Sequence, residues 1–266
     1  MDGIQTDIQK KHMNEILLGD AETVLKRIED NSVDLTVTSP PYDDLRIYKG
    51  FGCSWNQSKF QAIARELMRV TKPGGVIVWV VGDKTEKGSE SGTSFTQALY
   101  FKEIGMNIND TMAWQKKNPL PQIKQPRYTQ CFEYMFVFSK GKPKTFNPIM
   151  IPTKCGGQHY KSTAKKITKD NERRMLDYHV NTEMVDYNIW KIAVARNQKD
   201  GELKHPAVFP YEIPYRHIKT WTNEGDVVLD PFAGSGTTLL AAKDLNRQYI
   251  GIEIVPEYVE LIKLKL

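Results

Sequence analysis

Two stretches of the 266-residue chain carry side chains that could do chemistry, and the first is "LTVTSPPYDD" (Leu35–Asp44). Its apolar, β-branched run ends in Ser39, Pro40, Pro41 and Tyr42. Two consecutive prolines cannot continue a sheet ladder, because each lacks an N–H and has φ fixed at about −65°. The pattern therefore predicts a buried strand that stops abruptly. It would hold a hydroxyl, a stiff carbonyl and an aromatic ring at the carboxyl edge of a sheet.

The second stretch is "VVLDPFAGSGTT", in which Asp230 ends a predicted strand and Gly234-x-Gly236 opens a helix. Glycines let the backbone approach a ligand closely, and a helix N-terminus offers free N–H groups. A phosphate-binding P-loop would need a lysine directly after Gly236, where this chain has Thr237. A dinucleotide fingerprint would need a glycine at the position of Leu239, so both phosphate readings are weak.

A third reading, an adenosyl cofactor without a pyrophosphate, agrees better with the residues. In "YIGIEI", Glu253 ends the following strand. This is about the 20-residue spacing that a ribose-binding acid takes in βαβ nucleotide sites. A lone G-x-G is often only a tight turn. The full succession of strand, Asp230, glycine turn, helix, strand and Glu253 instead indicates a cofactor site.

Both stretches are similar to the motifs of a known family. "DPFAGSGTT" resembles the cofactor motif of S-adenosylmethionine-dependent DNA amino-methyltransferases, and "TSPPY" resembles their catalytic motif. The order of the motifs resembles that of the β class, with the catalytic motif first, then the target-recognition region, then the cofactor motif. The resemblance covers nearly the whole chain outside a central insert, and it implies S-adenosyl-L-methionine as the cofactor.

The resemblance also implies roles for further residues. Asp20, at the end of "LLGD", would contact the adenine of the cofactor, and "HPAVFP" would pack over its methionine end. "YTQCFEYMFVFSK" resembles a strand that helps to build the base pocket. The predicted cofactor-binding residues are Asp20, His205, Pro206, Phe209, Asp230, Phe232, Gly234, Ser235, Gly236, Thr237, Thr238 and Glu253.

The catalytic motif suits methylation of an exocyclic amino group. The lone pair of such a nitrogen is delocalised into the ring, and acceptors placed against its N–H bonds help to localise it. Ser39 Oγ and the Pro40 carbonyl are predicted to be those acceptors, with Pro41 fixing their direction. The flipped base would stack on Tyr42. Methylation of a ring carbon would need a cysteine nucleophile, and none of the three cysteines follows a proline.

The target base is the open question. In the family, serine at the first motif position goes mostly with N4 of cytosine, and Asp or Asn goes mostly with N6 of adenine. Ser39 therefore favours N4-cytosine, with an N6-adenine enzyme of the same class as the alternative. Two other classes remain: a non-catalytic nucleic-acid binder that kept the fold, and a methyltransferase for RNA or protein.

The elements that must position these residues alternate between strand and helix, which implies a mostly parallel, doubly wound α/β sheet. By resemblance this is a circularly permuted Rossmann-like methyltransferase fold. In that fold the strand beginning at Glu15 would follow the last strand in the sheet. The predicted parts are a catalytic half (1–141), a target-recognition insert (142–200) and a cofactor-binding half (201–266).

Charge is concentrated in the insert. Between Lys140 and Asp200 there are 13 Lys and Arg against 6 Asp and Glu, a surplus of seven, whereas the whole chain has a net charge of +5. The remainder is therefore at about −2. A basic segment on a near-neutral body is typical of a polyanion binder, although a solvated insert would show the same charge. Residues predicted to bind DNA are Lys161, Lys165, Lys166, Lys169, Arg173 and Arg174.

Composition limits the remaining classes. No apolar run approaches the roughly 20 residues of a membrane span. The three cysteines form no C-x-x-C pair, so we expect neither a disulfide scaffold nor a metal site, and we expect a cytoplasmic protein. Double-stranded DNA is the partner implied by the resemblance. A homodimer and a cognate restriction endonuclease are left open.

Overall fold

The computed structural model describes residues 13–41, 55–121, 126–162, 176–195 and 209–266. Some of the predicted site residues lie outside this part of the chain, namely Tyr42, Lys165, Lys166, Lys169, Arg173, Arg174, His205 and Pro206. The chain divides into two compact units, a larger one of 1–147 with 188–266 and a smaller one of 148–187.

The strands and helices are numbered along the chain. The strands are β1 (Glu15–Leu18), β2 (Val33–Thr38), β3 (Thr71–Val81), β4 (Thr85–Glu86), β5 (Ser89–Glu90), β6 (Asn107–Lys116), β7 (Phe132–Ser139), β8 (Met150–Pro152), β9 (His159–Ser162), β10 (Leu176–His179), β11 (Glu183–Val185), β12 (Ile189–Ile192), β13 (Val227–Asp230) and β14 (Gln248–Glu253). The helices are α1 (Ala21–Val24), α2 (Gln57–Val70), α3 (Thr93–Glu103), α4 (Glu212–Trp221), α5 (Thr237–Asp244) and α6 (Pro256–Lys265).

The larger unit is built on a sheet whose eight described strands have the order β1-β14-β13-β2-β3-β7-β6-β12. The first five are parallel neighbours, and only β7 runs antiparallel, to both β3 and β6. β1 pairs with β14 so that Glu15 lies opposite Ile250 and Leu18 opposite Glu253. The strand nearest the N-terminus thus extends the sheet beside the last strand, which confirms the predicted circular permutation and the mostly parallel α/β fold.

Helices cover both faces of this sheet. On one face the fully buried Trp79 of β3 packs against Phe60 of α2 and Phe101 of α3. On the other face α5 lies so close to β14 that a Cβ on Gly251 would be only 2.4 Å from Leu239 Cδ1. Because no L side chain fits in that space, a glycine at position 251 allows α5 to seat on the strand. The sheet is therefore doubly wound, as predicted.

Helix α2 follows directly from its sequence. Asn56 caps it by accepting a hydrogen bond from the Lys59 N–H at 2.9 Å. Phe60, Ile63 and Leu67 recur at helical spacing and are completely buried. The helix ends at Val70, and β3 begins at Thr71 and runs through the Pro73-Gly74-Gly75 segment that predicted the stop.

The smaller unit holds two antiparallel pairs, β8 with β11 and β9 with β10. It is shorter than the predicted insert of 142–200, because β12 pairs in parallel with β6 and belongs to the main sheet. Its role in target recognition stays a prediction. No helix among the described residues is both long enough and apolar enough to cross a membrane.

Candidate active site

The candidate active site lies at the carboxyl edge of the sheet. The chain leaves β13 toward β14 on one side and leaves β2 toward β3 on the other, so the β13–β2 pair is where the strand order reverses. Ligands of open α/β sheets bind in the crevice at such a switch point. Asp230 ends β13 and Ser39 directly follows β2. The structure therefore brings the two predicted motifs, about 190 residues apart in sequence, onto adjacent strands.

Thr38 joins the two motifs directly. Its Oγ1 donates a hydrogen bond to Asp230 Oδ1 at 2.6 Å, and both side chains are buried. The same oxygen of Asp230 accepts the Phe232 N–H at 3.0 Å. Burial raises the pKa of the Asp230 carboxyl, and hydrogen bonds from Thr38, Thr238 and Phe232 oppose that rise. Sequence reasoning missed Thr38, since nothing in a strand sequence shows which neighbour its last hydroxyl meets.

The glycine turn is held from below by the C-terminal helix. Gly234 and Gly236 have φ of +52° and +80°, values that favour glycine. A Cβ on Gly236 would also lie 2.9 Å from the Ile262 side chain of α6. Lys265 Nζ donates to the Ser235 carbonyl at 3.1 Å, which fixes the outer part of the turn.

The threonines of the motif lie at the start of α5. The hydroxyls of Ser235 and Thr237 are 3.2 Å apart, and Thr238 is buried with its Oγ1 3.5 Å from the Val37 carbonyl. These predicted cofactor residues therefore also stabilise the turn itself.

Glu253 ties the turn to the end of β14. Its Oε2 accepts the Gly234 N–H at 2.7 Å and its Oε1 accepts the Val255 N–H at 2.9 Å. Only 8% of the residue is exposed. Burial raises the pKa of the Glu253 carboxyl, and backbone hydrogen bonds from Val255, Gly234 and the residue between strand and helix oppose the rise. A carboxylate has further lone pairs, so each oxygen can accept another hydrogen bond.

Asp20 follows β1 at the same edge, next to Glu253. The Gly19 N–H donates to the Glu253 carbonyl at 2.9 Å, which fixes this neighbour. The Asp20 side chain caps α1 by accepting from the Glu22 N–H at 3.0 Å, and it forms an ion pair with Lys59 of α2. Lys59 was not predicted, because its partner lies 39 residues earlier in the sequence.

Aromatic rings flank the turn. Phe232 is partly buried and contacts Trp55 edge-on, with ring centroids 5.5 Å apart, and it also contacts Trp79 at 6.3 Å. Sequence reasoning missed Trp55. Phe209 is partly buried just before α4.

The described part of the catalytic motif follows β2 without interruption. Ser39 and Pro41 are partly buried, and Pro40 is buried. The serine therefore keeps some access to solvent at the switch point, while the proline after it is held in the protein.

The residues of this edge fit S-adenosylmethionine. Asp20, Asp230 and Glu253 are three acids at the ends of adjacent strands β1, β13 and β14, and the glycine turn has no lysine. Carboxylates accept hydrogen bonds from ribose hydroxyls and attract an ammonium group, whereas a pyrophosphate would be repelled. The acceptor set therefore suits a ligand with a ribose and a positively charged amino-acid end.

Comparison with known proteins identifies the class. The sequence profile of the N6/N4 methyltransferase family, described as DNA methylase, matches residues 33–264. The orphan methyltransferase M.BamHII of Bacillus amyloliquefaciens is 48% identical over 248 residues, which cover 91% of each chain. The type II methyltransferase M.BglII of Bacillus subtilis is 31% identical, over 97% of this chain and 70% of its own.

Solved structures show the same fold. A DNA modification methylase of Thermus thermophilus, TTHA0409, complexed with S-adenosyl-L-methionine, superposes with a TM-score of 0.61 at 26% identity, covering 94% of this chain and 93% of its own. PvuII DNA methyltransferase (cytosine-N4-specific) gives a TM-score of 0.66 at 21% identity, covering 95% and 86%. The chain belongs to the N6/N4 DNA methylase family and is an S-adenosylmethionine-dependent DNA methyltransferase.

Proposed function

We propose that this enzyme transfers the methyl group of S-adenosyl-L-methionine to N4 of a cytosine in double-stranded DNA. The observation that carries the proposal is Ser39 at the switch point, directly after the strand that is hydrogen-bonded to the cofactor motif. In the family that Ser39–Tyr42 resembles, serine at this position goes mostly with cytosine N4. An N6-adenine enzyme is the alternative.

The residues of the catalytic motif act on the target base. Ser39 Oγ and the Pro40 carbonyl accept the two N–H bonds of the amino group, which localises the nitrogen lone pair. The base must leave the duplex to reach this edge, and Tyr42 offers it a stacking surface. When bound, S-adenosylmethionine supplies an electrophilic methyl group. As the new N–C bond forms, the amino nitrogen gives up one proton.

The residues of the cofactor motif hold and orient the methyl donor. Glu253 accepts the ribose hydroxyls with the lone pairs left over from its two backbone bonds, and Asp20 faces the adenine. Asp230 sets the path of the turn around Gly234 and Gly236 through its bond to the Phe232 N–H. His205, Pro206 and Phe209 cover the methionine end.

Mass spectrometry of nucleosides from duplex DNA methylated in vitro tests the proposal. We expect N4-methylcytosine as the main product. N6-methyladenine would overturn the cytosine assignment and keep the amino-methyl mechanism, whereas 5-methylcytosine would overturn both. Methylation of RNA at a higher rate than of duplex DNA would contradict the choice of DNA.

A substitution at Ser39 tests the role of the serine. Ser39→Ala should lose turnover while keeping its affinity for S-adenosylmethionine, because Ser39 acts on the base. Ser32→Ala is a matched control, since Ser32 precedes the same strand at its opposite end and donates to the Glu29 carbonyl. Full activity of Ser39→Ala would leave the Pro40 carbonyl as the main acceptor.

Two assemblies belong to the same proposal. A homodimer is tested by sedimentation of the purified protein with and without DNA. A cognate restriction endonuclease is tested by asking whether DNA modified by this enzyme resists cleavage by nucleases encoded beside it.

A further inference from the structure

The β9–β10 ribbon of the smaller unit has no buried side. The register pairs His159 with His179, Tyr160 with Tyr178 and Lys161 with Asp177. All six of these residues are exposed. An isolated two-stranded ribbon is only marginally stable in water. Side chains that make no core on either face are therefore available for a partner.

One face of the ribbon is polar. Because side chains alternate along a strand, His159, His179, Lys161 and Asp177 share this face. The two imidazoles stack with centroids 4.4 Å apart, His159 Nε2 is hydrogen-bonded to Asp177, and Lys161 Nζ lies 4.0 Å from Asp177 Oδ2. The face thus presents hydrogen-bond donors and a carboxylate acceptor in fixed relative positions.

The opposite face is aromatic. Tyr160 and Tyr178 stack with centroids 5.9 Å apart, and the Tyr160 hydroxyl donates to the Gln158 side chain. Their mutual stacking holds the two strands together without a core. The polar face is left as the one with directional hydrogen-bonding groups.

The chemistry of the polar face fits base edges better than phosphates. A carboxylate repels phosphate, but Asp177 can accept a hydrogen bond from the amino group of cytosine in the major groove. That groove is about 12 Å wide and admits a two-stranded ribbon. The 13 residues that join β9 to β10 in the sequence, 163–175, include five Lys and Arg against two Asp and Glu, a charge that attracts DNA.

We propose that the His159, Lys161, Asp177 and His179 face of the β9–β10 ribbon enters the major groove and reads base edges of the recognition sequence. The inference rests on the DNA methyltransferase function and extends it to the choice of sequence. The same cluster is not a metal centre. No group of three or more His, Cys, Asp or Glu is placed to hold a metal ion in the part of the chain that the structure describes.

The test is a methylation profile on a library of randomised DNA duplexes. It uses single-molecule sequencing that records both N4-methylcytosine and N6-methyladenine. Asp177→Asn should reduce discrimination at one base pair of the site by about ten-fold or more, and should shift preference there from cytosine toward adenine. His179→Gln, a second exposed variant, should alter preference at a neighbouring position. Thermal unfolding at the wild-type temperature shows that each variant is folded.

Tyr178→Phe is the matched control, because it changes only a hydroxyl on the opposite face of the same strand. We expect it to leave the profile unaltered. If both polar-face variants keep the wild-type sequence context and merely lower the rate on every site, the ribbon does not read bases. The base that is methylated and the context around it are recorded separately, so the cytosine assignment and the ribbon proposal can fail independently.

Discussion

Glu253 combines two functions in one carboxylate. Its two oxygens accept the Gly234 and Val255 N–H groups, so it holds the glycine turn and the start of α6 in place. The same oxygens lie where the ribose of the cofactor is predicted. Any substitution at this position therefore has to keep the shape of the side chain if it is to report on binding.

Glu253→Gln keeps that shape and one acceptor oxygen. We expect the affinity for S-adenosylmethionine to fall by about 1–3 kcal/mol, because a hydrogen bond to a charged group is lost. Isothermal titration calorimetry measures the change, with Glu260→Gln on the exposed side of α6 as the control. Unchanged affinity would remove Glu253 from the cofactor site, and equally tight binding of ATP would contradict the site as a whole.

At the scale of elements, the important link is between β2 and β13. Thr38 at the end of β2 donates to Asp230 at the end of β13, so the catalytic motif and the cofactor motif share one buried hydrogen bond. We infer that this bond fixes the distance between the methyl donor and Ser39. Thr38 would then be a positioning residue for the transfer.

Thr38→Val removes the hydroxyl and keeps the branched shape. We expect kcat to fall and the loss of cofactor affinity on acidification to begin at a higher pH. The reason is that removing a donor from Asp230 raises the pKa of that carboxyl further above its usual value. Thr38→Ser should restore both properties. The pH profile of S-adenosylmethionine binding measures the shift.

Thr36→Val is the matched control on the same strand. Thr36 is fully buried and its Oγ1 has no hydrogen-bond partner among the described residues. Replacing an unsatisfied buried hydroxyl by a methyl should be neutral or stabilising. Equal effects of the two valine substitutions on kcat would show that Thr38 acts only through the packing of β2.

At the scale of the molecule, the larger unit contains a buried histidine that opposes acid stability. His217 of α4 is fully buried beside Trp190, with ring centroids 4.6 Å apart, and both its nitrogens lack partners among the described residues. Burial, together with the charge of Arg216, lowers the pKa of His217 to about 3. The unfolded chain, with a histidine pKa of about 6.5, therefore binds the proton more readily.

The free energy of unfolding should consequently fall by roughly 1.4 kcal/mol per pH unit as the pH drops from about 6.5 toward 3. His217→Leu should remove this contribution and flatten the acid limb, while leaving stability near pH 7 unchanged or higher. Urea unfolding of both proteins across this range measures it. The other titrating groups are common to both, so parallel acid limbs would exclude His217 as the cause.

Charge in the smaller unit determines the salt dependence of DNA binding. Lys165, Lys166 and Lys169 lie between β9 and β10 in the sequence and outside the described residues, and we predict that they contact phosphates. Replacing all three by Gln should reduce the slope of log K against log salt by about 2–3, at about 0.9 for each contact. An unaltered slope would show that these lysines are only solvated surface.

The sequence by itself determined the order and type of the main elements and the class of chemistry. Apolar runs that end at Ser39, Asp230 and Glu253 predicted buried parallel strands, and glycines without a following lysine excluded a phosphate cradle. These signals are local, since strand periodicity and turn chemistry depend on residues a few positions apart. The circular permutation could be predicted as well, because the two motifs occur in a recognisable order.

Only the tertiary structure decided which side chains meet across the sheet. The Thr38–Asp230 bond, the Asp20–Lys59 pair and the Trp55–Phe232 contact join positions that are far apart in sequence. The unsatisfied His217 and the uncovered β9–β10 ribbon also appear only once the chain is folded. The physical reason is that burial and pairing depend on which strands become neighbours. A sequence pattern shows that a residue faces inward, whereas the assembled sheet determines what it faces.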